Sequence, residues 1–123
     1  MIPPIFATLS ANAGVTALIG SGDNCRCYPF GVAPVGTVIP YVTWYTVAGE
    51  PENKLTQGAF CDRLRCQVDC WANTGAASLA LAQAVRSALE PISVMTSINL
   101  TEKDEETRIF RFSMDFEFIV NRP

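Results

Sequence analysis

The chain has 123 residues, 49% of them apolar and 17% charged, with a net charge of -3. That length suits one domain over 1–123, and the composition argues against disorder, which needs low hydrophobicity and high net charge. Nine scattered Lys and Arg argue against an electrostatic grip on nucleic acid, which usually leaves a basic footprint. Met1 is followed directly by Ile2-Pro3-Pro4, without a basic start or the apolar run of a secretory signal. No stretch approaches the ~20 apolar residues needed to cross a bilayer. Folding in a cytoplasm, away from membranes, is the expectation. The five cysteines, an odd count without an export signal, argue against a disulfide framework.

Residues 3–13 predict a first helix. Pro3 and Pro4 suit its first turn, Ile5, Phe6, Leu9 and Ala13 recur at helical spacing, and Gly14 stands where a C-cap glycine belongs. Residues 15–19 add one helical turn, closed by Gly20. Cys25 to Tyr28 predict a short strand that Pro29 confines to an edge, and the Pro- and Gly-rich stretch 31–40 predicts a loop. Residues 41–48, nearly all β-branched or aromatic, predict a strand. The stretch 49–60 predicts a long polar hairpin loop suited to partner contact. Residues 61–72 predict a half-buried strand, with Leu64, Cys66, Val68 and Cys70 on one side and Arg63, Arg65, Gln67, Asp69 and Trp71 on the other. Residues 75–90 predict an amphipathic helix capped by Asn73 or Thr74 and stopped by Pro91. Its apolar stripe is Ala77, Leu81, Ala84, Val85, Ala88 and Leu89. Residues 92–100 and 107–120 predict a final hairpin about a charged turn, 101–106.

The charges suggest how the two long strands meet. With antiparallel partners whose numbers sum to 180, Arg63 faces Glu117, Arg65 faces Asp115 and Asp69 faces Arg111, while Leu64, Cys66, Val68 and Cys70 meet Phe116, Met114, Phe112 and Phe110. A slip by one would set apolar against polar faces, and a slip by two would break the charge matching. The expected fold is α+β: a four-stranded, mainly antiparallel sheet in the order 41–48, 61–72, 107–120, 92–100, with two helices on one face. A split βαβ crossover runs through helix 75–90.

Chemistry is harder to find. There is no histidine, which removes the commonest general base and metal ligand and any Ser-His or Cys-His pair. The glycines match neither the dinucleotide fingerprint nor the P-loop. Cys66 and Cys70 lie four apart on a strand, about 13 Å, too far to share a metal, and read as buried reduced thiols. Cys25 and Cys27 leave open a reactive pair. Asp69 and Asp115 read as ion-pair partners, and the carboxylates of 101–106 as a solvated turn. No catalytic, metal or cofactor site is expected. Trp44, Tyr45 and Trp71 are candidates for a binding surface, with core or sheet packing the preferred reading.

The order of several short elements carries a family likeness. Gly14-Val15-Thr16-Ala17-Leu18-Ile19-Gly20 follows a short first helix. Tyr28-Pro29 leads through a Pro/Gly-rich loop to Ile39-Pro40-Tyr41-Val42. Then come Arg65-Cys66-Gln67-Val68-Asp69-Cys70-Trp71-Ala72, the helix with Ala84-Val85-Arg86-Ser87-Ala88-Leu89, and Phe112-Ser113-Met114-Asp115-Phe116. The chain resembles the tail-completion, or tail-terminator, family of long-tailed phages and prophages. Cys25-Arg26-Cys27 departs from that pattern. The resemblance implies a structural virion protein, made in the host cytoplasm, that forms a ring, commonly of six copies, at the head-proximal end of the tail tube. Such a ring ends tube growth and docks the head-tail connector, while DNA only passes through its lumen. Its partners would be further copies of itself, the tail-tube protein and the connector. Candidate contact residues are Glu50, Glu52, Asn53, Lys54, Arg63, Arg65, Asp69, Trp71, Arg111, Asp115 and Glu117, and the polar sheet face, the 49–60 loop and the 28–40 loop are the patches available for a heterologous ring contact. Two other readings stand beside it: another neck, head-completion or minor tail protein, and a cytoplasmic binding or redox module using Cys25 and Cys27.

Overall fold

The computed structural model describes residues 2–54, 58–98, 102–103 and 109–121, with side chains placed for 2–50, 61–98 and 109–120. In chain order come α1 (Ile5–Ala11), α2 (Ala13–Ile19), β1 (Cys27–Tyr28), β2 (Tyr41–Lys54), β3 (Gly58–Ala72), α3 (Gly75–Leu89), β4 (Val94–Ile98), β5 (Glu102–Lys103) and β6 (Phe110–Asn121). The sheet runs β1-β2-β3-β6-β4, and β5 pairs β6 beyond β4. β1 is parallel to β2; the other pairings are antiparallel. β3 and β4 thus run parallel on either side of β6 and are joined by α3, the expected split crossover. The α+β class and the order of the four predicted strands hold. The sheet also gains the parallel edge strand β1, and there are three helices instead of two.

The helical break is a capping event. Asn12 takes an extended conformation (φ -92°, ψ 122°) and its side chain accepts a hydrogen bond from the Val15 amide. It is the N-cap of α2, so Gly14 lies inside that helix and is not the cap of the first. Gly20 does end α2, at φ 91°, and a Cβ there would lie 2.8 Å from the Asn24 carbonyl oxygen. Arg26 then ties the turn down. Its Nε donates to the Pro40 carbonyl at 2.9 Å and its Nη2 to the Leu18 carbonyl at 3.0 Å, a cation at a helix C-terminus where the dipole favours it. The Ile39–Pro40 bond in the β1–β2 loop is cis.

Residues 49–54 and 58–60 are strand and not the expected loop. Both arms of the hairpin continue through them, from Glu50 opposite Arg63 to Lys54 opposite Gly58, with a register shift between Glu52 and Asn53. No other strand pairs β2 beyond Thr43 among the described residues, so Pro51 sits on an edge, where its missing N–H is tolerated. A bulge between Thr46 and Ala48 keeps Ala48 and Glu50 on the same face as Arg65 and Arg63. Residues 55–57 at the tip, and most of the charged turn 101–106, lie outside the described residues.

The core lies between the three helices and one face of the sheet. α1 contributes Ile5 and Leu9, α2 Val15 and Ile19, and α3 Leu81, Ala82, Val85, Ala88 and Leu89. The sheet contributes Val42, Trp44, Leu64, Cys66, Val68, Cys70, Met114, Phe116 and Phe118. Thr74 caps α3, accepting from the Ala77 amide. The buried stripe of α3 runs through Ser78 and Ala82, while Ala77 is exposed. The Ser78 hydroxyl fits inside because it donates to the Gly75 carbonyl at 2.9 Å.

The β3–β6 register differs from expectation by two residues. Partner numbers sum to 182, so Arg65 faces Glu117, Gln67 faces Asp115, Asp69 faces Ser113, Trp71 faces Arg111, and Arg63 faces Ile119. The faces are unchanged, because a slip by two preserves the pleat. The charge matching is not preserved, and the reason is one of magnitude. Exposed ion pairs contribute about 0–1 kcal/mol each, whereas burying one Phe contributes about 1.5–3 kcal/mol. The observed register places Phe118 opposite Leu64 and Phe116 opposite Cys66, both rings fully enclosed.

Candidate functional site

The helix-free face of the sheet collects the predicted contact residues. Glu50, Arg63, Arg65, Asp69, Trp71, Arg111, Asp115 and Glu117 all lie on it by strand register. Glu52, Asn53 and Lys54 are in the backbone of β2, but their side chains lie outside the described residues. The face has three zones.

At the hairpin end, Glu50, Arg63, Arg65 and Glu117 line a polar cleft of about 220 Å3. Arg63 Nε bridges diagonally to Glu117 Oε1 at 3.1 Å. This is the one expected ion pair that forms at that distance, although the two residues are not directly opposite.

In the middle lies a polar network. Asp69 is only 4% exposed. Its Oδ1 accepts from the Ser113 hydroxyl at 2.6 Å and from Gln67 Nε2 at 3.0 Å. Asp115 Oδ2 accepts from the Ser97 hydroxyl at 2.7 Å, and its Oδ1 is buried without a hydrogen-bond partner among the described residues. Neither aspartate meets its expected arginine; both are held by neutral donors. Asp69→Ala therefore strands the buried Ser113 hydroxyl and the half-buried Gln67 amide and is expected to lower stability by about 1–3 kcal/mol. Asp69→Asn, which keeps an acceptor oxygen, should lose less, and urea unfolding of both variants checks the order.

At the far end an aromatic row crosses four strands. Tyr28 meets Tyr41 edge-on at 6.5 Å, Tyr41 stacks on Trp71 at 5.9 Å, and the Arg111 guanidinium stands 5.7 Å from the Trp71 ring. Trp71 Nε1 donates to Thr43 Oγ1 at 2.9 Å. Trp71 thus belongs to sheet packing as well as to the polar face, and Trp44 is in the core.

The thiols have a separate environment. Cys25, Cys27, Cys66 and Cys70 are buried, and Cys61 is half-buried. Burial, with Cys25 adjacent, pushes the Cys27 thiol up to about 12. Burial raises Cys70 as well, with Asp69 and Cys27 adding to it. Cys25 and Cys66 are raised by burial against the opposing effects of Arg26 and Thr46. A reactive thiol needs the opposite, a lowered pKa and access. Among the described residues no three Cys, Asp or Glu side chains group as a metal site. Cysteine-directed labelling of the native protein should reach Cys61 first and the other four only on unfolding. The raised Cys27 pKa also makes the fold alkali-sensitive. The unfolded thiol ionises near pH 9 and the folded one near 12. Its contribution is therefore complete below pH 9 and falls by about 1.4 kcal/mol per pH unit above it. Urea melts between pH 8 and 11 should show the loss, and Cys27→Ala should make it shallower, the raised Cys25, Cys66 and Cys70 keeping their share.

A second kind of surface includes the 28–40 loop, one of the patches expected for a ring contact, whose apolar character escaped the sequence reading. Residues 27–49 contain no Asp, Glu, Lys or Arg, and that charge-free run was its signal. Much of it is exposed apolar surface: Phe30 is 83% exposed, and Val32, Val35 and Val38 stand out beside it. Next to them an open groove of about 660 Å3 is lined by Ile2, Pro3, Phe6, Pro29, Phe30 and Trp44, among others.

Fold and surface define a small α+β protein whose distinctive features are an extended polar sheet face and uncovered apolar margins. A chain of the solved structure "Virion of native gene transfer agent (GTA) particle" has a similar fold, with a TM-score of 0.63 at 18% identity over 96% of this chain and 92% of that one. No individually curated protein matches in sequence. Residues 3–121 match the family described as "Tail completion protein gp17", and the chain belongs to that family of phage tail-completion proteins. It is accordingly a structural component of the tail and neck region of phage particles.

Proposed function

We propose that this chain is the tail-terminator subunit, closing as a ring of six copies on the head-proximal end of the tail tube. There it ends tube growth and offers the surface on which the head-tail connector docks. The observation that carries the reading is the tail-completion family match over residues 3–121. The surface suits the task. The cleft of Glu50, Arg63, Arg65 and Glu117 offers both signs of charge for a polar docking contact with tube or connector protein. Trp71 and Arg111 supply the aromatic and guanidinium groups that anchor interfaces, while Asp69 and Asp115 hold the face in shape from beneath. DNA passes through the lumen without being gripped, which suits a chain of net charge -3. Subunits associate weakly in solution and close on the tube end as a template.

The test is a phage deleted for this chain. Tails of unregulated length and unattached full heads are the expected outcome, both restored by supplying the wild-type chain. Tails of normal, uniform length in the deletion would rule the terminator role out.

A further inference from the structure

The exposed large apolar residues are gathered mainly at the two opposite margins of the sheet. At the β1–β2 margin stand Phe30, Val32, Val35 and Val38, with Val35 wholly exposed. At the other margin stand Val94 and Ile98 on β4, Val94 on the helix-free face opposite Glu117 and Ile98 on the helix side, with Leu79 of α3 beside it. We infer that copies of this chain join head to tail, the 30–38 margin of one seated on the β4–α3 margin of the next; this rests on the ring reading above and specifies its contact.

Charge selects the occupant. Residues 27–49 carry no ionised side chain, and neither do 91–98. The 30–38 margin therefore fits an uncharged apolar surface and offers nothing to nucleic acid or to an acidic or basic partner. On the other margin Arg86, near Ile98 at the end of α3, is already paired with Glu90. The chain itself carries two such surfaces, on opposite sides. The backbone agrees. The outer side of β2 beyond Thr43, opposite to its β3 pairing, and the outer side of β4 are paired by no strand among the described residues. Open edges invite pairing with another chain, and proteins usually guard them with charge or proline. The β4 sequence Val-Met-Thr-Ser-Ile has neither.

Two local features point the same way. Phe30 holds a left-handed backbone (φ 63°, ψ 18°) while its ring faces solvent. A bulky residue kept in that region marks a constraint beyond folding. Trp44 Nε1, in a side chain lining the neighbouring groove, is buried without a hydrogen-bond partner among the described residues. A free strand edge carries carbonyls that can supply the missing acceptor. Because the two patches differ, the contact is heterologous, the type that closes rings.

The test uses Val35→Asp and Ile98→Asp, each at an exposed position, with circular dichroism confirming the fold. Sedimentation velocity is run up to the solubility limit. Wild type should self-associate beyond a dimer, and each variant alone should stay monomeric. An equimolar mixture should form pairs of one copy each and stop there, since only one good margin remains on each partner. Variants that associate like wild type overturn the margin contact and leave the ring reading intact. Ile98→Asp pairing with itself means that the 30–38 margin is self-complementary, and overturns the head-to-tail arrangement. Wild type monomeric at every concentration overturns the contact as stated, and the ring reading is then decided separately by tail length in the deleted phage.

Discussion

Phe116→Ala is expected to lower the free energy of unfolding by about 3–5 kcal/mol. Small proteins have about 5–15 kcal/mol in total, so a large part of the fold's stability rests on this one ring. Phe116 is fully buried, opposite Cys66 on β3 and Met95 on β4, with its centroid 6.5 Å from Phe118. It lies where α3 covers the centre of the sheet, so truncation leaves a cavity that neither strand can close without moving the other. Urea unfolding at neutral pH measures the loss. A loss below about 1 kcal/mol, the range of exposed positions, would mean that this face of β6 is not the core.

Phe30→Asn is expected to act in opposite directions on folding and assembly. Asparagine tolerates the left-handed region far better than phenylalanine, and relief of the strain should raise stability by about 1 kcal/mol. The ring is 83% exposed, so little packing is lost with it. Self-association should fall sharply, because the same substitution removes an aromatic group from the 30–38 margin. Thermal melts and sedimentation on one preparation read both effects. A variant that is less stable would mean that Phe30 supports its own loop; a more stable variant that associates normally would remove it from the contact.

These opposed effects show which parts of the molecule the sequence discloses. Strand 61–72 was legible because its alternation has one solution: Leu64, Cys66, Val68 and Cys70 are all buried. The helix from Gly75 was legible through Thr74 and the apolar period, and the order of four strands followed from the two hairpins and from the charges that made 61–72 and 107–120 neighbours. The register was not legible, since opposite charges reward several alignments with less than one buried ring contributes. Arg63 and Glu117 still meet, by reaching diagonally. The helix break at Asn12 was hidden because asparagine caps and glycine caps stand two residues apart here, and only the backbone says which is used. Polar composition at 49–54 suggested a loop, yet β2 is an edge there, and an edge tolerates Pro51 and charge without leaving the sheet. Of the candidate site, the common face of seven residues was readable from period-two alternation, and Glu50, expected in a loop, joins them through the bulge between Thr46 and Ala48. The 28–40 loop was expected as a contact patch, but its apolar character was not, because exposed valines in a Pro/Gly loop look like ordinary loop residues until their solvent exposure is known; the β4 margin was not expected.

The central claim is a place in the particle, and electron microscopy of virions containing this chain tests it most directly. The account predicts one ring of six copies between the tail tube and the head connector, its subunits meeting through the 30–38 and β4 margins. Finding the chain distributed along the tube, at the distal tip, or absent from the particle would contradict it.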